Sequence, residues 1–315
     1  MAEVAINSCS WLKTHRVNFL KALASSRVPH ASLFSGVKGV GKKLLVEQFA
    51  DTLLCQSPVN SQGLIEPCGH CKSCTLRMAG HHPDRLTVSA NDKGTITVDL
   101  VRVVIDKLSQ AAHQSGNRVV LIELAEKMNV NAANALLKTL EEPMPGTYFM
   151  LTSEAPSQLL PTILSRCQHI PVAATEADIT DWLSSQRIPA DKSVIAMFHG
   201  APFAVKSFLA SDEFSVFEQL RDQYKKWWRG EEQALGQMKQ LVSKEPVSRI
   251  DWLLHLVALH ALSAKGSNVT GLNAWYDQLV TCRKLLSQSG INQMLQIEKS
   301  FQFGEQLTSG TIKQA

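Results

Sequence analysis

The middle of the chain combines two unbroken apolar runs with one helical pattern between them. Residues 119–122 and 148–151 are the apolar runs, and such runs predict strands buried inside a parallel sheet. Between them, apolar residues recur at helical spacing, at Ala133, Leu136, Leu137 and Leu140. Pro143 follows and should end that helix. Strand, helix and strand in this order predict a βαβ crossover in a parallel sheet.

The same pattern extends towards both ends of this region. It predicts a helix over residues 11–24, a strand over 32–35 and a helix over 44–54. A β-prone run at 95–98 then leads into a helix opened by Asp99. The apolar positions expected on that helix are Leu100, Val103, Val104 and Leu108. Residues 170–172 predict the last strand of the sheet.

The rest of the chain is helical by periodicity. Residues 175–209 predict a small helical region, with Gly200 and Pro202 between its helices. From 212 to about 307, apolar residues at helical spacing predict a domain built from helices, and residues 308–315 form a polar tail. The pattern therefore predicts an α/β region followed by an all-helical one.

Composition sets limits on the class of protein. The chain has 315 residues, which favours two or three domains, and 44% of them are hydrophobic, which is ordinary for globular proteins. The net charge of +4 permits an acidic partner without indicating one. The apolar stretch 252–264 contains His255 and His260 and is too short for a bilayer. With no signal peptide in view, we expect a cytoplasmic protein whose cysteines are reduced or metal-bound.

Four cysteines have the spacing of a metal site. Cys68, Cys71 and Cys74 are each separated by two residues, and the proline- and glycine-containing segment after Cys55 allows the chain to loop back. Four converging thiolates satisfy a tetrahedral Zn²⁺ ion and leave no open coordination position. We therefore predict that Cys55, Cys68, Cys71 and Cys74 hold a structural zinc ion.

A glycine-rich loop lies between the predicted strand 32–35 and the next helix. Gly36 and Gly41 would let backbone N–H groups surround a phosphate, and Lys42 would reach the outer phosphates of a nucleotide. The motif requires Ser or Thr after that lysine to hold magnesium, whereas this chain has Lys43. We favour a retained structural turn over nucleotide binding.

Two longer sequence motifs indicate a family. NALLKTLEEP at 134–143 and LPTILSRC at 160–167 resemble the clamp-loader subunits of bacterial DNA polymerase III, which are AAA+ proteins. The resemblance covers roughly residues 10–206. It implies an AAA+ P-loop type domain with a parallel sheet over 1–171, including a zinc module over about 55–82 with the same cysteine ligands. It also implies a small helical lid over 172–210 and a helical collar domain over 211–315.

Against this family, the chain departs at the positions that hydrolyse ATP. Active relatives place Asp-Glu after the strand at 119–122, for the metal and for the attacking water, where this chain has Glu123 and Leu124. They also carry a phosphate-sensing arginine near Phe203. Together with Lys43, these differences predict that the chain does not hydrolyse ATP by itself.

Arg166 is the remaining residue of interest. The resemblance implies that the arginine of Ser165-Arg166-Cys167 is an arginine finger supplied in trans to the ATP site of a neighbouring subunit. The alternative from the residues alone is a structural salt bridge or a helix-end contact. Both interpretations remain open at this point.

The predicted function is that of a non-hydrolysing clamp-loader subunit, which helps to open the sliding clamp and load it onto primed DNA. Its partners would be the ATPase subunits and a delta-like subunit in a hetero-oligomeric ring, the sliding clamp and primed DNA, with no membrane. The first alternative is an ATP-hydrolysing subunit of the same complex. The second is a zinc-dependent DNA-binding module acting alone. Separately, Trp227 and Trp228 among basic residues have the composition of a nucleic-acid stacking site, but such a cluster is more typical of a helix end with a half-buried aromatic ring and solvated charges, which we favour.

Overall fold

The computed structural model describes residues 6–61, 64–109, 112–114, 116–264, 267–288 and 290–308. The chain forms two compact units, Met1–Ala204 and Val205–Ala315. The finer division into residues 1–171, 172–210 and 211–315 stays a prediction. The predicted polar tail beyond residue 308 lies outside the described residues.

The first unit is built on a parallel sheet. Its strands are β1 (Ala31–Ser35), β4 (Arg85–Val88), β5 (Arg118–Ile122), β6 (Thr147–Ser153) and β7 (Gln168–Pro171). Within the described residues they lie in the order β4-β5-β6-β1-β7, all parallel. The predicted crossover is confirmed, because β5 and β6 are parallel neighbours joined through a helix. The four-residue strand β4 is too short to show a periodic pattern in the sequence.

Helices cover the sheet and connect its strands. They are α1 (Ser10–Ala24), α2 (Lys42–Leu54), α3 (Lys72–Met78), α4 (Val98–Leu108), α5 (Val130–Glu141), α6 (Pro161–Leu164), α7 (Glu176–Ser185), α8 (Lys192–Met197) and α9 (Pro202–Leu209). The boundary between the two units falls inside α9. Together with the helical second unit, this arrangement confirms the predicted fold class at the level of a parallel sheet flanked by helices.

The sheet is buried on both faces. Every residue of β1 and β5 is buried. The side chains of one face form a core with α4, α5 and α6, to which Leu33, Val120, Ile122, Phe149 and Leu136 belong. On the other face, α2 packs against β1, β5 and β6. Double burial explains why these strands are uninterrupted apolar runs in the sequence.

The helix α5, which contains the NALLKTLEEP motif, has a capping residue before its start and a proline shortly after its end. Asn129 caps α5 by accepting a hydrogen bond from the backbone N–H of Ala132 at 2.8 Å. The helix ends at Glu141, two residues before Pro143, because proline cannot continue it. The buried side chains of α5 are Ala132, Ala133, Leu136 and Leu140.

The expected pattern of α4 was wrong in part. The helix begins at Val98 with Thr97 as its N-cap, and it buries Val101, Val104 and Leu108. Leu100 and Val103, expected on the same apolar side, are 38% and 53% exposed. Residues 95–98 form no strand, and Ile96 makes only an isolated bridge to Met128. Periodicity identified the helix, but its rotation is set by packing on the sheet.

An insertion between α2 and β4 carries the four clustered cysteines. It contains a short hairpin, β2 (Val59–Ser61) paired with β3 (Leu64–Glu66), followed by α3. Its C-terminal end is fixed by buried polar groups. Ser73 Oγ donates to the carbonyl of Leu54 at 2.5 Å and lies 2.5 Å from His82 Nε2, while His82 Nδ1 accepts the Asp84 N–H at 3.1 Å. This set of bonds requires a neutral His82 with its proton on Nε2, and burial lowers the pKa of that histidine accordingly.

The second unit is helical throughout the described residues from α10 onwards. Its helices are α10 (Asp212–Trp228), α11 (Glu232–Lys244), α12 (Pro246–Ser263), α13 (Ser267–Leu286) and α14 (Gln293–Thr308). The predicted all-helical region is therefore confirmed. Its core includes Phe217, Leu220, Trp275 and Phe301, all at most 2% exposed.

The paired tryptophans lie at the C-terminal end of α10, where Trp227 is buried and Trp228 is half-buried. Trp227 is buried, with its ring centroid 4.7 Å from that of Trp275, and Trp228 is 4.3 Å from the ring of His260. Lys226 makes an ion pair with Asp222 at 2.8 Å on the same helix. The buried ring of Trp227 cannot stack on a nucleic-acid base, and the cluster has the features expected of a helix end with a half-buried aromatic side chain.

Across the part of the chain that the structure describes, every helix is too short or too polar to cross a membrane.

The buried carboxylate of Asp84 generates a stability prediction. It accepts the backbone N–H groups of His113 and Gln114, both at 2.8 Å. Asp84→Ala should lower the free energy of local opening around β4 and β5 by about 2 kcal/mol, because two partly buried N–H donors lose their acceptor. Hydrogen exchange measured in peptides containing His113 and Val119 should show the faster opening.

The matched control is Asp92→Ala, which removes the same side chain from an exposed turn. It should change local opening by no more than about 0.5 kcal/mol. Equal protection in both variants would contradict the role assigned to Asp84.

Candidate functional site

The glycine-rich loop lies at the carboxyl end of β1, where it leads into α2. The N–H of Gly36 donates to the carbonyl of Ser153 at the end of β6, at 3.1 Å. A Cβ atom at residue 36 would lie 2.2 Å from the carbonyl oxygen of Val172, so only glycine fits there. Gly41 has a φ of 102°, a backbone conformation that side chains rarely adopt. The loop geometry therefore requires both predicted glycines.

Lys42 is engaged by the loop itself. Its Nζ donates to the carbonyls of Gly36 at 2.7 Å and Val37 at 2.9 Å, and the residue is 6% exposed. Burial lowers the pKa of Lys42, while the carboxylates of Glu154 and Glu126 partly restore it. The ammonium that would contact the outer phosphates of a nucleotide is thus bonded to main-chain oxygens.

Lys43 lies where the motif needs a magnesium ligand. Its Nζ makes an ion pair with Glu123 Oε1 at 2.8 Å, and Ser89 Oγ donates to the other oxygen of that carboxylate at 3.1 Å. The hydrogen bond to Glu123 is the main cause that raises the pKa of Lys43. Two of the predicted departures from the hydrolytic motif are therefore in direct contact, with an ammonium beside the carboxylate that would otherwise face a cation.

Leu124 follows in a left-handed conformation, with φ 53° and ψ 61°. Its N–H donates to Thr152 Oγ1 at 3.1 Å, which ties the end of β5 to β6. An isobutyl side chain carries no group that could accept a proton from water. The residue after Glu123 therefore has a structural contact and no capacity for base chemistry.

Phe203 packs directly on the glycine-rich loop. A Cβ on Gly41 would lie 2.9 Å from Phe203 Cε2, and the N–H of Phe203 donates to the carbonyl of Gly39 at 3.0 Å. Its ring makes edge contacts with Trp11 and Trp182, at centroid distances of 6.0 Å and 5.1 Å. These three aromatic side chains fix the start of α9 against the loop.

A cavity of about 500 Å³ remains beside these residues. Its lining includes Lys42, Lys43, Glu123, Leu124 and Phe203. The structure thus brings together the loop and all three predicted departures around one cavity. Arg166 is not among the residues that line it.

Arg166 lies at the C-terminal end of α6, partly exposed. Its Nε donates to Glu141 Oε1 at 2.7 Å and its Nη2 bonds to the same oxygen. Its Nη1 donates to the carbonyl of Thr162 at 2.9 Å and to Ser165 Oγ at 3.2 Å. The guanidinium is therefore held by α5 and α6 of its own chain, with 30% of the side chain exposed.

The four predicted cysteines converge at the start of the insertion. Their Sγ atoms all lie within 4.8 Å of one another, and four of the separations are 3.6, 3.7, 3.9 and 3.9 Å. A tetrahedral ion with metal–sulfur bonds of about 2.3 Å would place its sulfurs about 3.8 Å apart. The observed donor set fits a tetrahedral metal ion with four thiolate ligands.

Backbone N–H groups surround these sulfurs. The N–H of Cys68 points at Cys55 Sγ at 3.3 Å, that of Cys71 at Cys68 Sγ at 3.3 Å, and that of Cys74 at Cys71 Sγ at 3.4 Å. Burial raises the pKa of Cys55 and raises that of Cys74 to about 12. A bound cation would be needed to keep buried thiols ionised, whereas N–H groups directed at sulfur stabilise the thiolates once formed.

Two residues that contact the predicted site residues are not predicted from the sequence. The first is Trp11, whose Nε1 donates to the carbonyl of Val40 in the loop at 2.8 Å and whose ring packs on Phe203. The second is Glu141, the partner of Arg166. The motif LEEP places two glutamates at the C-terminal end of a helix, where negative charge is unfavourable. That pair is the sequence signal for a cation nearby.

Comparison with known proteins places the chain in a family. Residues 13–176 match the family model described as "DNA polymerase III, delta subunit". A DNA polymerase III subunit delta' of Pseudomonas aeruginosa is 42% identical over 184 residues, 56% of this chain and 55% of that protein. The Yersinia pestis subunit delta' is 32% identical over 305 residues, 93% of this chain and 87% of that protein.

A subunit delta' of Escherichia coli is 36% identical over 218 residues, 67% of this chain and 64% of that protein. The match thus spans little more than half of the Pseudomonas protein and most of the Yersinia protein. The resemblance that rested on the words NALLKTLEEP and LPTILSRC is confirmed. On the family model and the match to the Yersinia protein, the chain belongs to the delta' family of DNA polymerase III subunits.

Proposed function

We propose that this chain is a clamp-loader subunit of DNA polymerase III that does not hydrolyse ATP and acts through its neighbours. The observation that carries the proposal is the ion pair between Lys43 and Glu123 at 2.8 Å. Phosphoryl transfer requires a divalent cation between the nucleotide and the protein carboxylate. An ammonium already bonded to that carboxylate occupies its acceptor oxygen and repels a cation.

Two further contacts support the same conclusion. The loop lysine Lys42 donates to two loop carbonyls, and Phe203 lies on Gly41 where a charged phosphate sensor would be needed. Contact between Lys42 and a triphosphate would require that lysine to break two hydrogen bonds. The cavity beside the loop is the one feature that favours the alternative, an ATP-hydrolysing subunit.

The partners follow from family membership. We infer that the chain assembles with the ATPase subunits and a delta-like subunit in a hetero-oligomeric ring, and that the ring opens the sliding clamp and places it on primed DNA. Replication takes place in the cytoplasm of a bacterium, so the chain acts there. The helical second unit supplies the collar through which subunits associate.

The role of Arg166 is proposed as that of an arginine finger supplied in trans. A guanidinium placed against a transferring phosphoryl group stabilises the charge that develops there. Its partial exposure and its position outside the cavity of its own chain support action on a neighbouring subunit. The ion pair with Glu141 in the isolated chain is compatible with this role, because exposed pairs are weak.

The zinc ion is proposed as a structural one. Cys55, Cys68, Cys71 and Cys74 would fill its coordination sphere and fold the insertion around it. Purified chain should therefore contain about one zinc per molecule. Cys71→Ser should lose most of that metal and increase proteolysis within residues 55–82, while β5 and β6 stay protected.

Cys282→Ser is the matched control for the metal measurement, because it removes a buried cysteine outside the cluster. It should leave the zinc content unchanged. Wild-type chain purified without chelator and containing no zinc would refute the proposal.

The nucleotide proposal is tested by ATP turnover of the isolated chain. We expect no hydrolysis above the uncatalysed rate, because Lys43 replaces the metal ligand and Leu124 replaces the residue that polarises water. Lys42→Ala should therefore leave the background rate unchanged. Turnover by the wild-type chain that disappears in Lys42→Ala would favour the ATP-hydrolysing alternative instead.

The arginine finger is tested in the reassembled complex. Arg166→Ala should lower DNA-stimulated ATP hydrolysis about a thousandfold at the site that receives the finger, and should also impair clamp loading. Arg166→Lys should be impaired as well, because lysine keeps the charge and loses the planar fork. Normal assembly with both activities intact would leave Arg166 as a structural residue only.

A further inference from the structure

The guanidinium of Arg166 is held along one specific edge. Its Nε and Nη2 groups both donate to Oε1 of Glu141, the last residue of α5. The Nε–Nη2 edge of the guanidinium therefore faces α5 of the same chain. Its Nη1 group donates to Thr162 and Ser165 of the adjoining turn. A guanidinium has five N–H donors, so these contacts leave one donor, on Nη2, uncommitted. Arg166 therefore has a defined orientation before any partner is present.

Glu141 is placed at a cost to its own helix. It is the last residue of α5, and Glu142 follows as the C-cap. Carboxylates are disfavoured at a helix C-terminus, where the backbone carbonyls already carry partial negative charge. The guanidinium of Arg166 offsets that repulsion from outside the helix. Helix stability alone therefore does not account for Glu141, whereas its contact with Arg166 does.

The strength of the pair suits a positioning role. Its two side chains are 30% and 47% exposed, and pairs with that exposure contribute little to stability. An arginine side chain loses much rotamer entropy when it is fixed. A carboxylate that restricts the side chain in advance reduces the ordering that remains when the arginine meets a phosphate. The contact is also weak enough not to compete with a multiply charged phosphate.

We propose that Glu141 is a positioning residue that holds the Nε–Nη2 edge of Arg166 and so directs its Nη end towards the neighbouring subunit's ATP site. The inference rests on the proposed role of Arg166 as an arginine finger. The uncommitted N–H of Nη2 can donate to a phosphate oxygen, so the bonds to Glu141 need not break when the phosphate binds. The pair would act as one unit in which Glu141 contributes orientation and Arg166 contributes charge.

The experiment uses the complex reconstituted with Glu141→Gln, a substitution of the same shape that lacks the negative charge. Single-turnover and steady-state ATP hydrolysis are measured in the presence of primed DNA and the sliding clamp. We expect kcat to fall about tenfold with KM for ATP unchanged, because only a transition-state contact becomes misplaced.

Glu142→Gln is the matched control. It removes the same charge one residue later, and Glu142 makes no ion pair in the described part of the chain. Its activity should equal that of the unmutated complex. Size-exclusion chromatography establishes that every variant assembles to the same extent.

A double variant separates positioning from damage to the fold. In the Arg166→Ala background, Glu141→Gln should produce no further loss, because a positioning residue acts only through the residue it positions. A further tenfold loss in that background would show that Glu141 acts on the fold, and would overturn the proposal.

Two other outcomes are also decisive. If Glu141→Gln matches Glu142→Gln, or turns over faster than the unmutated complex, Glu141 does not position the finger, while the arginine finger itself still stands. If Arg166→Ala retains full activity, the proposal that Arg166 is an arginine finger is wrong, and the proposed positioning role of Glu141 is then wrong as well.

Discussion

Burial of the parallel sheet on both faces is the constraint on which the rest of the first unit depends. With α4 and α5 on one face and α2 on the other, the faces of β1, β5 and β6 are covered, and the polar groups of the site lie at the carboxyl ends of these strands. The glycine-rich loop, Glu123 and Thr152 consequently meet at one edge. The same parallel arrangement requires a long crossover between strands, and α5 supplies the one that ends at Glu141.

At that edge, the charged side chains are bonded to one another and to the loop. An ammonium from Lys43 neutralises Glu123, loop carbonyls satisfy Lys42, and aromatic packing holds Phe203 on Gly41. Each substitution is compatible with the others, because charge remains balanced and the buried donors have acceptors. The polar groups at this edge are therefore satisfied by partners within the chain.

Two peripheral features depend on the same core. The cysteine insertion is anchored by Ser73 and His82, and Asp84 then leads directly into β4 at the sheet edge. Arg166 sits at the end of α6, just before β7, and is held by the end of the crossover helix. The cysteine insertion and a partly exposed arginine are thus both attached directly to elements of the central sheet.

The sequence by itself determined the features that local pattern controls. Uninterrupted apolar runs predicted the buried strands, and cysteine spacing predicted the cluster of four cysteines. The two motifs that end at Pro143 and Cys167 indicated the family. Only the tertiary structure decided the rotation of α4, the short strand β4 and the contacts of Lys43 with Glu123, Phe203 with Trp11, and Arg166 with Glu141. Each of these contacts joins residues far apart in the chain, and no periodicity relates them. Their pairing follows from which elements the sheet places side by side, and that is a property of the packed fold.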